Sequence, residues 1–241
     1  MPARLLLIED DASIARFVEL ALEELPALIA EAPAVQLQVA RSLAEGRAAL
    51  AQGGWQLVVS DLMLPDGSAE TLLAEGVARA DGAPPWLVFS AGVADARAQQ
   101  LAALGVARTL RKPVPLAQLL AAMVELLQPS LPGAPEAVAG AVAGDPVQDH
   151  FGGDRVLYEQ FRVGCASRFA DDLAQGDAAL AAADVSTLRR VAHGLKAVLT
   201  LLGQPALAAR AQALEEAATG GDIDGWPAMA AALRHWMAGP A

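Results

Sequence analysis

The chain has 241 residues, a length that suits one or two domains, and 54% of them are apolar although only 4% are aromatic. Its formal charge of −11 divides into −6 over residues 1–128 and −5 over residues 129–241, so neither part carries the basic footprint of a nucleic-acid binder. The one cysteine, Cys165, excludes an internal disulfide framework; no uncharged apolar run reaches the roughly 18 residues of a membrane span, and the N-terminus turns charged at Glu9, too early for a signal peptide. These features predict a soluble cytoplasmic protein with neither nucleic acid nor membrane as partner.

In chain order, Arg4 to Ile8 is a continuous apolar run, as a strand buried on both faces requires. Ser13 to Leu25 has the period of an amphipathic helix. Pro26 and Pro33 fall in the connection from Glu24 to Ala34, which reads as a long loop. Val35 to Val39 is a second strand and Leu43 to Ala51 a second helix. Trp55 to Ser60 is a third strand, followed by turn chemistry in Leu64-Pro65-Asp66-Gly67 and a helix over Ser68 to Ala80. A strand from Trp86 to Phe89, a helix from Asp95 to Leu104, a strand from Val106 to Leu110 and a helix from Leu116 to Leu127 complete the alternation. Strands alternating with helices predict a parallel sheet covered on both faces.

In such a sheet the chemistry gathers beyond the carboxyl ends of the strands. There the sequence places Glu9 and Asp10, Asp61, Ser90 and Lys112. Clustered carboxylates repel unless a cation sits among them, and a hard divalent ion, Mg2+ or Mn2+, suits oxygen ligands. One carboxylate can then attack phosphorus, while a lysine and a hydroxyl hold the phosphoryl oxygens. Each residue also has a plain structural role open to it. Asp10 or Asp11 can cap the first helix, Asp61 can be a polar strand end, Ser90 a cap, and Lys112 a solvated turn residue. Four strand ends that each carry the required group favour a site over four coincidences.

Glu9-Asp10-Asp11, Asp61 with Leu64-Pro65-Asp66-Gly67, Phe89-Ser90-Ala91 and Lys112-Pro113 resemble the receiver domain of bacterial response regulators, over residues 1–128. The resemblance implies a doubly wound, flavodoxin-like α/β fold with a five-stranded parallel sheet in the order 2-1-3-4-5. It implies that Asp61 is the phospho-acceptor and that Glu9, Asp10, Asp61 and the backbone carbonyl of Met63 hold Mg2+. Ser90 and Lys112 would contact the phosphoryl group. One departure is Thr109, where receivers carry an aromatic residue that moves with the Ser/Thr switch. The substitution suggests a phosphoryl carrier rather than a strong conformational switch.

Residues 129–148 are rich in Pro, Ala and Gly and read as a linker. Residues 149–241 read as an antiparallel helical bundle. A long helix spans Asp154 to Gln175 with Val156 or Leu157, Phe161, Cys165 and Phe169 inward, and a separate short helix lies near Ala178 to Ala183. Helices then follow over Thr187 to Gly203, Pro205 to Thr219 and Asp222 to Met237. His150 reads as a linker or cap residue and His235 as a solvated residue near a helix end. In the Thr187 to Gly203 helix, Leu188, Val191, Leu195, Val198, Leu199 and Leu202 form one stripe. His193 falls opposite, between Arg189, Arg190 and Lys196 and beside the small residues Gly194 and Ala197. This predicts an imidazole open to water, with cations keeping its lone pair free and small neighbours admitting another surface.

His193-Gly194-Leu195-Lys196-Ala197, with Gly203 and the Leu214-Glu215-Glu216 helix beyond, is similar to the phosphorylated helix of histidine phosphotransfer (HPt) domains. That family usually has glycine at the Ala197 position. The resemblance implies a four-helix bundle carrying a phosphoryl group on His193, and Lys196, one turn on, is placed to assist by meeting the phosphoryl oxygens. The two resemblances together imply a phosphorelay protein without an ATP-binding kinase domain. It would exchange phosphoryl groups between Asp61, His193 and a partner histidine kinase or response regulator. Two rivals differ in class. An aspartate-nucleophile phosphatase usually needs a second acid two residues after the nucleophile, where this chain has Met63. In a docking module the bundle would inhibit a kinase with His193 unused.

Overall fold

The computed structural model describes residues 3–28, 34–90, 95–127 and 144–239, which divide into two compact units, 1–142 with 150–152 and 143–149 with 153–241. The first unit holds five parallel strands: β1 (Ala3–Ile8), β2 (Val35–Ala40), β3 (Leu57–Ser60), β4 (Trp86–Ser90) and β5 (Val106–Arg111). Their order across the sheet is β2-β1-β3-β4-β5, every neighbouring pair parallel. This is the predicted doubly wound order. Alternate strand residues serve opposite faces. On one face Leu6, Ile8, Val58, Trp86 and Val88 join Leu43, Leu72, Leu73 and Leu101 in one buried cluster.

The helices of this unit are α1 (Ala12–Leu28), α2 (Leu43–Gln52), α3 (Glu70–Ala74), α4 (Asp95–Ala103) and α5 (Leu116–Leu127). Two depart from expectation. The first helix runs on through Pro26 to Leu28, so the predicted loop from Glu24 begins later. The third is only five residues long, not the predicted run from Ser68 to Ala80. Gly76 adopts φ +88°, a left-handed conformation that glycine tolerates and that ends the helix. Asp66 of the predicted turn has a further task. Its carboxylate accepts the amides of Leu43 (2.7 Å) and Ala44 (3.0 Å), tying the loop after β3 to the start of α2.

After α6 (Pro146–Phe151), whose last two residues group with the first unit, the second unit is helical: α7 (Arg155–Ala181), α8 (Val185–Leu201), α9 (Pro205–Thr219) and α10 (Trp226–Met237). Residues 128–143, most of the predicted linker, lie outside the described residues. The α6 helix crosses the linker boundary predicted at 148. The four longer helices close a ring, α7 on α8, α8 on α9, α9 on α10 and α10 on α7, so the unit is a four-helix bundle. Asp154 and Asp184 cap α7 and α8, accepting the amides of Leu157 (2.9 Å) and Thr187 (3.0 Å). The predicted inward residues Leu157, Phe161, Cys165 and Phe169 are buried, whereas Val156 is 70% exposed.

The separate helix near Ala178 to Ala183 does not exist, because α7 continues unbroken to Ala181. Gly176 reads as a breaker in the sequence but is a packing residue. A Cβ there would lie 2.0 Å from Cζ2 of Trp226 on α10, and Trp226 Nε1 donates to Asp177 Oδ1 at 2.8 Å. Gly176→Ala is therefore expected to destabilise the bundle by about 1–3 kcal/mol despite alanine's better helix propensity, since both contacting groups are rigid. Urea denaturation checks this; an unchanged or raised midpoint would show that Trp226 moves aside freely.

Candidate functional site

Sheet register builds the first cluster. Ile8 pairs with Ser60 across β1 and β3, so the residues that follow, Glu9 and Asp61, leave the sheet side by side. The Asp61 amide donates to the Ile8 carbonyl and the Glu9 amide to the Ala40 carbonyl, each at 2.9 Å, which fixes both backbones. On the other flank, Ser90 pairs with Arg111 at the end of β5, and Lys112 is next in the chain. The Lys112 ammonium donates to Glu9 Oε2 at 2.7 Å and to Asp61 Oδ2 at 2.6 Å, and lies 4.5 Å from the centroid of the Phe89 ring. Glu9, Asp61 and Lys112 are 1%, 2% and 6% exposed. The remaining Asp61 oxygen accepts the amides of Leu62 (2.5 Å) and Met63 (3.3 Å).

Burial sets the electrostatics of this cluster. Burial pushes the Glu9 carboxyl well above the ordinary carboxylate range; Lys112 pulls against it, while Asp61 and Asp11 add to it. Burial alone would lower the Lys112 ammonium, but Asp61 and Glu9 outweigh it, so Lys112 holds its proton more firmly than a free lysine. Two carboxyl groups therefore share one buried ammonium, and burial with the neighbouring acids opposes the charge of Glu9.

The other predicted residues fall as follows. Asp11 is the helix cap, its Oδ1 accepting the amides of Ser13 (2.7 Å) and Ile14 (3.1 Å). Asp10 is half-buried beside it. Met63 stands opposite Ser68 in a two-residue ladder just past Asp61. Ser90 ends β4, but its side chain lies outside the described residues. Thr109 is half-buried in β5, paired with Val88. Among the described residues no three His, Cys, Asp or Glu side chains converge as a metal-binding group. Lys112 joins Glu9 and Asp61 instead. The donor chemistry, carboxyl oxygens and a backbone carbonyl, fits a hard divalent cation.

The second cluster overturns one expectation. His193 does not present its imidazole to water: it is 6% exposed. The predicted apolar stripe is buried in full, but so are Ala192, Ala197 and Leu201 on other faces of α8. The reason is position. Both α7 and α9 pack on α8, so the face opposite the stripe is covered as well. Nor are the neighbours of His193 only cations. Nδ1 lies 2.7 Å from Oε1 of Glu215 on α9, while the other Glu215 oxygen is ion-paired with Lys196. The Nε2 atom is buried and has no hydrogen-bond partner among the described residues.

Glu215 fixes the state of the ring. Partial burial would raise its carboxyl, but the hydrogen bonds from His193 and Lys196 prevail and hold it at about 2. A carboxylate ionised at neutral pH only accepts, so Nδ1 is the donor in this contact, and in the neutral ring Nε2 is then the nitrogen with the lone pair. Glu215 escapes sequence reasoning because it is 22 residues from His193, on a different helix; the one signal is its place in Leu214-Glu215-Glu216. The pH dependence follows in sign. A folded value of about 2 lies below the ordinary 4.5, so Glu215 stabilises the bundle fully above about 4.5 and loses that contribution as pH falls toward 2. Denaturation midpoints measured between pH 6 and 2.5 should converge for the natural chain and Glu215→Gln at the acid end. A constant gap would refute the assignment.

Residues 165–239 match the family model of the Hpt domain, and this match covers α8 with His193 and α9 with Glu215. No curated protein matches the chain. Among solved structures, the non-phosphorylated HemR receiver domain from Leptospira biflexa is 24% identical, with 55% of this chain and 99% of that one covered and a TM-score of 0.46. A CheY-like response regulator receiver domain protein from Methanospirillum hungatei JF-1 is 22% identical, with 54% and 96% covered and a TM-score of 0.45. The chain thus joins a doubly wound five-stranded parallel unit to a helical unit whose residues 165–239 match the Hpt domain. No described helix is long and apolar enough to cross a membrane.

Proposed function

We propose that the chain is a phosphorelay intermediate in the cytoplasm, with Asp61 accepting a phosphoryl group and His193 carrying or exchanging one with a partner histidine kinase or response regulator. The observation that carries this reading is the clasp of His193 by Glu215 inside the Hpt region, which leaves Nε2 as the nucleophilic nitrogen. At Asp61, a carboxylate oxygen attacks phosphorus, the donor's bond to phosphorus breaks, and its electron pair leaves with the donor group. Lys112, already 2.6 Å from Asp61, holds the oxygens of the incoming group, with the Ser90 hydroxyl assigned the same task. Mg2+, or Mn2+, held by Glu9, Asp10, Asp61 and the Met63 carbonyl, would offset the negative charge that gathers there.

At His193, the Nε2 lone pair attacks phosphorus as the aspartyl oxygen–phosphorus bond of the donor breaks, and the carboxylate departs with the electron pair. The proton stays on Nδ1, and the ring's new positive charge faces the Glu215 carboxylate. Lys196 is tied to Glu215, so it assists the ring through that carboxylate as well as through the phosphoryl oxygens. Thr109 in place of an aromatic residue supports a carrier more than a switch. Burial of Nε2 favours a second reading, a docking module that inhibits a kinase with His193 unused. Incubation with a histidine kinase already labelled on its own histidine separates the two. A relay moves the label onto this chain; an inhibitor lowers kinase autophosphorylation and takes none.

A further inference from the structure

We infer that Glu215 is a latch as well as a tautomer-setting partner: it draws the His193 imidazole toward α9 and keeps Nε2 covered until the contact is released. The inference rests on the reading of His193 as a phosphoryl station and adds a regulation of that station. Three observations carry it. The nitrogen left to react is the one with no exposed surface and no hydrogen bond among the described residues, although a group meant for a partner must be reachable. The covered ring is held from a different helix, by a 2.7 Å contact between α8 and α9. The clasping carboxylate is itself held by Lys196 one turn further along α8, so it bridges the helices at two points. A buried polar atom without a partner is unfavourable. Holding it so is consistent with a closed state that a docking protein opens by competing for Glu215 or by parting α8 from α9 at this point.

The two roles of Glu215 predict opposite outcomes for its removal. A carboxylate that only sets the tautomer raises the nucleophilicity of Nε2, and its loss slows any reaction there. A latch hides Nε2, and its loss speeds the reaction. Diethyl pyrocarbonate distinguishes them. The imidazole nitrogen attacks its carbonyl carbon, an N-carbethoxy bond forms, and ethyl carbonate leaves with the electron pair to give carbon dioxide and ethanol. Modification is followed residue by residue by mass spectrometry on the full chain. His235, exposed near the end of α10, serves as the internal control.

In the natural chain, His193 is expected to react at least about tenfold more slowly than His235, the factor that follows if the open state is populated a tenth of the time or less. In Glu215→Ala the His193 rate rises toward that of His235, while Glu215→Gln, which keeps an acceptor without the charge, falls between. Circular dichroism and an unchanged His235 rate establish that the variants are folded. Equal rates for His193 and His235 in the natural chain would overturn the closed state. A protected His193 that reacts no faster, or more slowly, in folded Glu215→Ala would overturn the latch. Neither result depends on phosphotransfer, so failure of the relay reading would appear separately, as absence of a label on His193.

Discussion

Asp61→Asn is expected to take up no phosphoryl group from acetyl phosphate, whereas the natural chain takes up one when Mg2+ is present. An amide oxygen in that place is a poor nucleophile toward phosphorus, and none of the groups around it can replace it. Glu9 is held by Lys112 and by the Asp11 amide, and Asp11 is spent on the start of α1. Breaking a buried ion pair often costs about 3–5 kcal/mol because it strands a charge. Here the loss is smaller, because Lys112 keeps Glu9 and the repulsion between Asp61 and Glu9 is relieved. The variant should therefore remain folded, and its silence toward acetyl phosphate can be read as chemistry. Chelation of the metal should silence the natural chain as well. Full labelling in the presence of EDTA would show that Asp61 reacts without a divalent cation.

His193→Gln is expected to carry no label of the acid-labile, base-stable kind. The substitution removes the only nitrogen lone pair of the clasp, since Lys196 is a charged donor paired to Glu215. Its effect on folding is contained for a specific reason. A glutamine amide can still donate toward Glu215, so the carboxylate is not left facing an apolar gap. By contrast, Leu195→Ala, two residues along α8 on the core-facing stripe and at 1% exposure, should destabilise the bundle by about 2–5 kcal/mol and leave the chemistry of the remaining folded fraction intact. Labelling after a chase from a phosphorylated kinase, normalised to the folded fraction, separates the two variants.

The strand-end cluster was legible in the sequence because a parallel sheet converts linear spacing into proximity. Once β1, β3 and β5 are adjacent or nearly so, the residues after Ile8, Ser60 and Arg111 meet whatever the helices do. The direct Lys112 bridge was less legible, since Lys112 is 103 residues from Glu9 and 51 from Asp61 and reads locally as a turn residue. Around His193, periodicity identified the buried stripe and erred on the opposite face. An amphipathic pattern states which face needs burial, not which face receives it. α8 is flanked by α7 and α9, and a helix in that position has no solvent face at His193. Glu215 was out of reach for the same reason, because its relation to His193 is set by how α9 lies on α8. The continuity of α7 through Gly176 shows a third kind of limit, a glycine kept for the approach of Trp226 that looks like a break.

The central claim is that Asp61 and His193 are the two phosphoryl stations of the chain. It is tested most directly by prolonged reaction of the full chain with radiolabelled phosphoramidate and Mg2+, followed by mapping of the label. The expected result is an alkali-labile acyl phosphate on Asp61 and an acid-labile, alkali-stable phosphoramidate on His193, each lost in its own variant. Label that persists in a folded chain carrying both Asp61→Asn and His193→Gln, or no label on the folded natural chain, would contradict it.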